Sequence, residues 1–187
     1  MDKKQQKINL DELVQQAQEG DTQAFGTIYD ELVKPVYRYI FYRVEESIAE
    51  DLTEDTFLKV WQNLKSYKKT KYPFSSWVFR IAHNLVVDYY RKNHLTEEID
   101  INTPDTAKTN NPQHEISIKL TQIRLKKVIR HLPDNYQQVI ILKYVNDLDN
   151  KEISATIGKS EATVRTIQFR ALEKLRSMLT NEDKEVF

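Results

Sequence analysis

Asp149-Asn150-Lys151-Glu152-Ile153-Ser154-Ala155-Thr156-Ile157-Gly158-Lys159-Ser160-Glu161-Ala162-Thr163-Val164-Arg165-Thr166-Ile167 is the most informative stretch of the chain. Asp149 and Glu152 stand at the spacing of a capping box, in which each side chain satisfies a backbone N–H of the other residue. The short helix that follows buries Ile153, Ala155 and Ile157. Gly158 ends it, because glycine adopts the left-handed conformation that a helix C-terminus needs. Ser160 caps a second, longer helix that buries Ala162, Val164 and Ile167. A short helix, a tight turn and a longer helix form a helix-turn-helix. The free face of the second helix carries Glu161, Thr163, Arg165, Thr166, Phe169 and Arg170. A helix with a basic outer face and a free N-terminus suits base edges and phosphates. Helical hairpins also occur as plain packing units, so other segments must support a nucleic-acid reading.

Upstream of this unit the same periodicity continues. Leu120, Ile123, Val128, Ile129 and Leu132 make one amphipathic helix. Pro133 stops it, and Asp134 is expected to cap a helix through Val139-Ile140-Ile141-Leu142 and Tyr144. Residues 96–118 have two prolines, many polar side chains and no helical period, and read as a flexible linker. The chain therefore divides into a helical domain over 1–95, a linker over 96–118 and a helix-turn-helix domain over 119–187.

The first domain also reads as helices. Leu10, Leu13, Val14 and Ala17 form a stripe closed by Gly20. A second helix starts near Asp21 or Thr22, and Pro35 is expected to kink or break it. Ser47 to Glu50 has the spacing of another capping box. The next helix carries Leu52, Phe57, Val60, Trp61 and Leu64. Glu50, Asp51, Glu54 and Asp55 place four carboxylates in its first turns. They suit the helix dipole, and beside Phe57, Leu58 and Trp61 they also suit a protein-docking surface. The last helix starts at Ser75 or Ser76 and runs to about Lys92. Its apolar face is Trp77, Val78, Ile81, Ala82, Leu85 and Tyr89. Arg80, Asn84, Asp88 and Arg91 form a separate polar stripe. The loop before it holds Lys65, Lys68, Lys69 and Lys71 among Tyr67, Tyr72 and Phe74. Basic residues interleaved with aromatic ones suit single-stranded nucleic acid. Phe74 and Trp77 read as core, while Tyr67 and Tyr72 are open to either role.

Composition agrees. The 187 residues contain 28 basic and 28 acidic side chains, three glycines and no cysteine. Cysteine chemistry, from disulfides to thiolate metal sites, is excluded. The scarcity of glycine and the absence of sustained two-residue alternation point to an all-α fold. The neutral total hides a pattern. Residues 1–58 carry −7, residues 59–92 carry +7, residues 96–118 carry −4 and residues 119–180 carry +6. Two basic blocks divided by an acidic strap suggest two contacts with one polyanion. No apolar run approaches the ~20 residues of a membrane span, and the start shows no secretory leader, so a cytoplasmic location is expected. His83, His94, His114 and His131 share no metal spacing, and no phosphate loop or nucleophile elbow is present. No metal, cofactor or enzymatic activity is expected.

Taken in order, these segments resemble a sigma factor of bacterial RNA polymerase, of the extracytoplasmic-function (ECF) type. Ala49 to Trp61 is similar to that family's core-binding helix. Phe74 to Lys92 resembles its segment for melting and reading the minus-ten element. Leu132 to Leu142, Glu152-Ile153-Ser154 and Ala162 to Arg165 resemble its minus-thirty-five region. Ala162 stands where the family commonly has glycine, and Phe169 where it commonly has histidine.

The resemblance implies docking of Asp51, Glu54, Phe57 and Trp61 on the clamp helices of the polymerase's largest subunit, with the second domain at the flap. It implies minus-ten contacts by Lys68, Lys69, Lys71, Tyr72, Arg80, Asn84, Asp88 and Arg91. It implies minus-thirty-five contacts by Thr163, Arg165, Thr166, Phe169 and Arg170. Promoter DNA, core polymerase and an anti-sigma factor are the implied partners, and the chain is expected to be a monomer. A dimeric helix-turn-helix repressor or activator is the rival reading. It accounts for the second domain but not for the carboxylate helix or the lysine-rich loop.

Overall fold

In the computed structural model, residues 9–94 and 113–185 are described, and those residues form helices and connecting loops with no strand. In chain order they are α1 (Leu10–Gln18), α2 (Thr22–Phe41), α3 (Glu46–Leu64), α4 (Phe74–His94), α5 (Gln113–Arg130), α6 (Asp134–Ile140), a π-helical turn (Ile141–Val145), α7 (Asn150–Ile157) and α8 (Glu161–Glu185). Residues 96–112 of the stretch read as a linker lie outside the described residues. Helix α5 begins at Gln113, six positions before the expected start of the second domain.

Helices α1 to α4 pack side by side. Ile28, Val36 and Ile40 of α2, Val60 of α3, and Val78, Ala82 and Val86 of α4 are fully buried between them. Asp21 caps α2, its carboxylate accepting from the backbone N–H groups of Gln23 (2.8 Å) and Ala24 (3.1 Å). Of the expected kink or break, the break does not occur: α2 continues through Pro35. Proline removes one ladder hydrogen bond, and the burial of Val36, Tyr39 and Ile40 beyond it compensates.

Two expected caps are corrected. Ser47 does not cap α3; the cap position is Glu45, whose carboxylate makes no capping bond and instead pairs with Arg130 at 2.6 Å. Asp134 does not cap α6 either. Pro133 holds that position, and the Asp134 carboxylate turns to Arg43. In both cases a distant guanidinium outcompetes the local N–H groups, because a charge-assisted bond is the stronger one.

The second domain wraps α5, α6, α7 and α8 around Ile129, Val139, Ile141, Leu142, Ile153, Val164 and Ala171, all fully buried. Helix α6 loosens into the π-helical turn, where the Asn146 N–H donates to the Ile141 carbonyl at 3.0 Å. The helix-turn-helix forms as the sequence predicts. Asp149 and Glu152 make the reciprocal capping box, at 2.7 and 2.8 Å. Gly158 ends α7 at φ 66°, and Ser160 Oγ accepts from the Thr163 N–H at 3.2 Å. Ala162, expected to be buried, is exposed. Val164, two positions on, takes the inward place in the first turn.

Candidate nucleic-acid interface

The basic block over 59–92 folds into a cleft. Gln18 of α1 holds the loop after α3, its amide donating to the Leu64 carbonyl at 2.9 Å and the Tyr67 carbonyl at 2.8 Å. Tyr67 then packs against Phe74 and Trp77, with ring centroids at 5.1 and 4.9 Å. Phe74 is buried as core, and Tyr67 and Trp77 are half-buried beside it. Beside this aromatic wall, between the lysine loop and α4, lies a cleft of about 630 Å³. Lys68, Lys71, Tyr72, Arg80 and Asn84 line it, together with Lys59, which the sequence reading had not singled out. Lys59 is the first residue of the positive block, and that position was its available signal. The Lys71 ammonium stands 5.1 Å from the Tyr72 ring centroid. Cations, a planar aromatic face and a side-chain amide together can hold a phosphate, stack a base and read its edge.

Three expected members lie elsewhere. Lys69 pairs with Asp11 of α1 at 2.8 Å, and that hydrogen bond raises its pKa. Asp88 and Arg91 pair with each other at 3.0 Å, beyond the cleft lining.

A second surface runs along α2 and α3. Phe25 and Tyr29, one turn apart, meet Trp61 and Phe57 edge-on, each pair at 4.7 Å. This ladder sorts the expected docking residues. Trp61 is 41% exposed and Leu58 is 54% exposed, whereas Phe57 is 4% exposed. Phe57 therefore supports Tyr29 from below and does not itself face solvent. Asp51 and Glu54 are exposed on the same helix. Beside the ladder a groove of about 570 Å³ runs past Tyr29, Val33 and Tyr37, with Glu50 and Glu54 on one rim and Lys34 and Arg38 on the other. Burial, with Glu46 and Glu50 adding to it, raises the Tyr37 pKa.

The third surface is the outer face of α8. Thr163, Arg165, Thr166, Phe169 and Arg170 are all exposed there, and Phe169 keeps 64% of its surface open. Gln168 turns inward, and its amide donates to Asn150 at the start of α7 at 2.8 Å.

One polar cluster escaped the sequence reading. Arg43, at the end of α2, is fully buried. Its guanidinium donates to the Tyr39 hydroxyl and the Asp134 carboxylate and lies 2.9 Å from His83 Nδ1. The Tyr90 hydroxyl donates to the Arg43 carbonyl. Burial and then Arg43 hold the His83 imidazole down to about 4, against the opposing pull of Asp134. A histidine with a lowered pKa contributes stability above its usual value near 6.5 and loses it as pH falls toward 4. Thermal unfolding at pH 7.5 and pH 4.5 should therefore show a larger drop in Tm for the natural chain than for His83→Gln. Equal drops would remove His83 as the cause.

Comparison with known proteins decides the family. The Sigma-70 region 2 model matches residues 28–96, and the Sigma-70 region 4 model matches residues 122–175. The ECF RNA polymerase sigma factor SigM of Bacillus subtilis is 30% identical over 155 residues, covering 81% of this chain and 92% of SigM. The chain belongs to the ECF sigma factors. It is an alternative sigma factor that directs transcription initiation. ECF sigma factor BldN of Streptomyces coelicolor is 31% identical over 176 residues, covering 91% of this chain and 66% of BldN. The fold matches that of CnrH, solved in complex with the cytosolic domain of CnrY, with a TM-score of 0.71 at 24% identity. That match covers 90% of this sigma factor and 96% of the CnrH chain. The region 2 match contains every cleft-lining residue except Ala155 and most of the α2/α3 surface, and the region 4 match contains the helix-turn-helix. No helix among the described residues is long and apolar enough to cross a membrane.

Proposed function

We propose a division of labour among the three surfaces of this sigma factor. The α2/α3 face docks on the clamp helices of the largest polymerase subunit, with Trp61 and Leu58 as anchors, Asp51 and Glu54 as charged rim, and Phe57 as support. The cleft between the lysine loop and α4 captures an extruded minus-ten base. There Lys68, Lys71 and Arg80 meet phosphates and Asn84 reads the base edge, while Lys69 and Arg91 contact flanking backbone, Asp88 orienting Arg91. The outer face of α8 reads the minus-thirty-five element through Thr163, Arg165, Thr166, Phe169 and Arg170, with the second domain seated at the flap. The chain acts in the cytoplasm as a monomeric, non-catalytic subunit, in three parts: residues 1–95, the strap over 96–118 and residues 119–187. An anti-sigma factor is its proposed inhibitor, because the α2/α3 groove offers an apolar floor between rims of opposite charge.

The observation that carries the minus-ten assignment is the convergence of Lys68, Lys71, Tyr72, Arg80 and Asn84 on one cleft. An amide paired to a base edge is worth about 1–3 kcal/mol of discrimination, roughly tenfold or more. Asn84→Ala should lower the preference for an intact over a mutated minus-ten sequence by about that factor in reconstituted transcription. Core binding should not change. Unchanged discrimination would remove Asn84 from base reading.

A further inference from the structure

Helix α1 grips the lysine loop at two places. The Tyr67 N–H donates to the Asn63 and Leu64 carbonyls at 3.1 and 3.0 Å, closing the last turn of α3. Carbonyls at a helix C-terminus have no N–H partner within their own helix. Gln18 supplies one from α1, spending both N–H groups of its amide on the Leu64 and Tyr67 carbonyls. Only the nitrogen end of a carboxamide can face two carbonyl oxygens, so the amide has one possible orientation here. Seven positions earlier, Asp11 pairs with Lys69 at 2.8 Å. Asp11, Val14 and Gln18 share one face of α1, and Val14 between them is buried. That face therefore follows the chain from the end of α3 to Lys69.

We infer that α1 is a splint for the minus-ten cleft and that Gln18 is a positioning residue for base capture. The inference rests on the minus-ten role proposed for the cleft. The splint acts through Tyr67. Its carbonyl is held by Gln18, and its ring packs against Phe74 and Trp77 in the cleft lining. A residue fixed in both backbone and side chain sets the course of those after it. Lys68 turns into the cleft, Lys69 is drawn out to Asp11, and Lys71 and Tyr72 return to the cleft. The Asp11–Lys69 pair is exposed and contributes little by itself, so Gln18 carries the effect. A loop ordered before DNA arrives avoids the ordering cost at capture. A loosened loop binds a base with an affinity reduced to its competent fraction. The Sigma-70 region 2 match begins at residue 28, so the splint lies ahead of it. Neither Asp11 nor Gln18 lines the α2/α3 groove, so core docking is independent of the splint.

Gln18→Met and Gln18→Glu in the full chain test this. Methionine and glutamate resemble glutamine in length and helix propensity, so α1 persists, yet neither side chain can donate to the two carbonyls. In reconstituted holoenzyme at saturating sigma factor, the preference for an intact over a mutated minus-ten sequence should fall by about fivefold in each variant, the loss in competent fraction. Core binding should not change. Added to Asn84→Ala, Gln18→Met should cost less than about twofold more, because both act on one capture step. A merely destabilised domain would lose activity on both promoters alike. The lysines of the loop report its order in the free chain. Trypsin should cut after Lys68, Lys69 or Lys71 faster by about fivefold in both variants, since cleavage follows local opening. Circular dichroism melts confirm that the variants remain folded. Unchanged loop cleavage would overturn the splint, as would discrimination that survives both Gln18 variants but not Asn84→Ala. Faster cleavage with discrimination indifferent to Gln18→Met and Asn84→Ala alike would instead remove the minus-ten assignment, and the positioning role with it.

Discussion

Trp61→Ala should weaken binding to core polymerase by roughly 30-fold, the equivalent of about 2 kcal/mol for an aromatic anchor at the centre of an interface. Trp61 is exposed on α3, with Phe25 against one edge of its ring. The free chain loses only that edge contact, so its Tm should fall by a few degrees at most. Phe57→Ala is the informative contrast. Phe57 is buried under Tyr29, and truncating a buried phenylalanine costs about 3–5 kcal/mol of stability. Its Tm should fall steeply, and any weakening of binding should follow from unfolding. Competition against the natural chain for core polymerase, read alongside thermal melts, separates the two. If Trp61→Ala competes as well as the natural chain, the docking face lies elsewhere.

Promoter opening should require core polymerase, with no detectable opening by the sigma factor alone. Unstacking averages about 1.4 kcal/mol per base-pair step, so a bubble of ten pairs costs on the order of 14 kcal/mol. The cleft of about 630 Å³ has room for one or two bases. Stacking and edge contacts return about 1–3 kcal/mol for each. The shortfall of roughly 8 kcal/mol leaves an open fraction on the order of one in a million. Permanganate reactivity of promoter thymines should therefore stay at background with the free chain and rise with holoenzyme. Reactivity with the free chain would mean that the first domain holds more of the displaced strand than its cleft suggests.

These expectations draw on features of different legibility. The helix-turn-helix was readable because its signals are local. The Asp149–Glu152 box closes over three residues, and Gly158 solves a steric problem at its own Cα. The polar stripe of α4 was half readable. Helical spacing aligned Arg80, Asn84, Asp88 and Arg91. Only the path of the lysine loop, fixed by Gln18 of α1, separated those on the cleft from those beyond it. Lys69 looked like its neighbours until Asp11 claimed it. Phe57 and Trp61 are one helical turn apart, and only the placement of Phe25 and Tyr29 on α2 decided which is covered.

By itself, the sequence determined that the chain is helical, the bounds of the helix-turn-helix, which faces are apolar, how charge alternates along the chain, and that two helical domains are separated by a polar stretch. Those properties depend on residues within a turn or two of one another, where backbone geometry leaves few choices. The tertiary structure alone decided the fate of groups with competing partners. Glu45 and Asp134 stood beside helix N-termini that they could have served, and each went to an arginine in the other domain. Arg43 gave no signal at all, since its carboxylate partner lies 91 residues away. A charge follows its strongest available partner, and which partner is available is a property of the packed molecule.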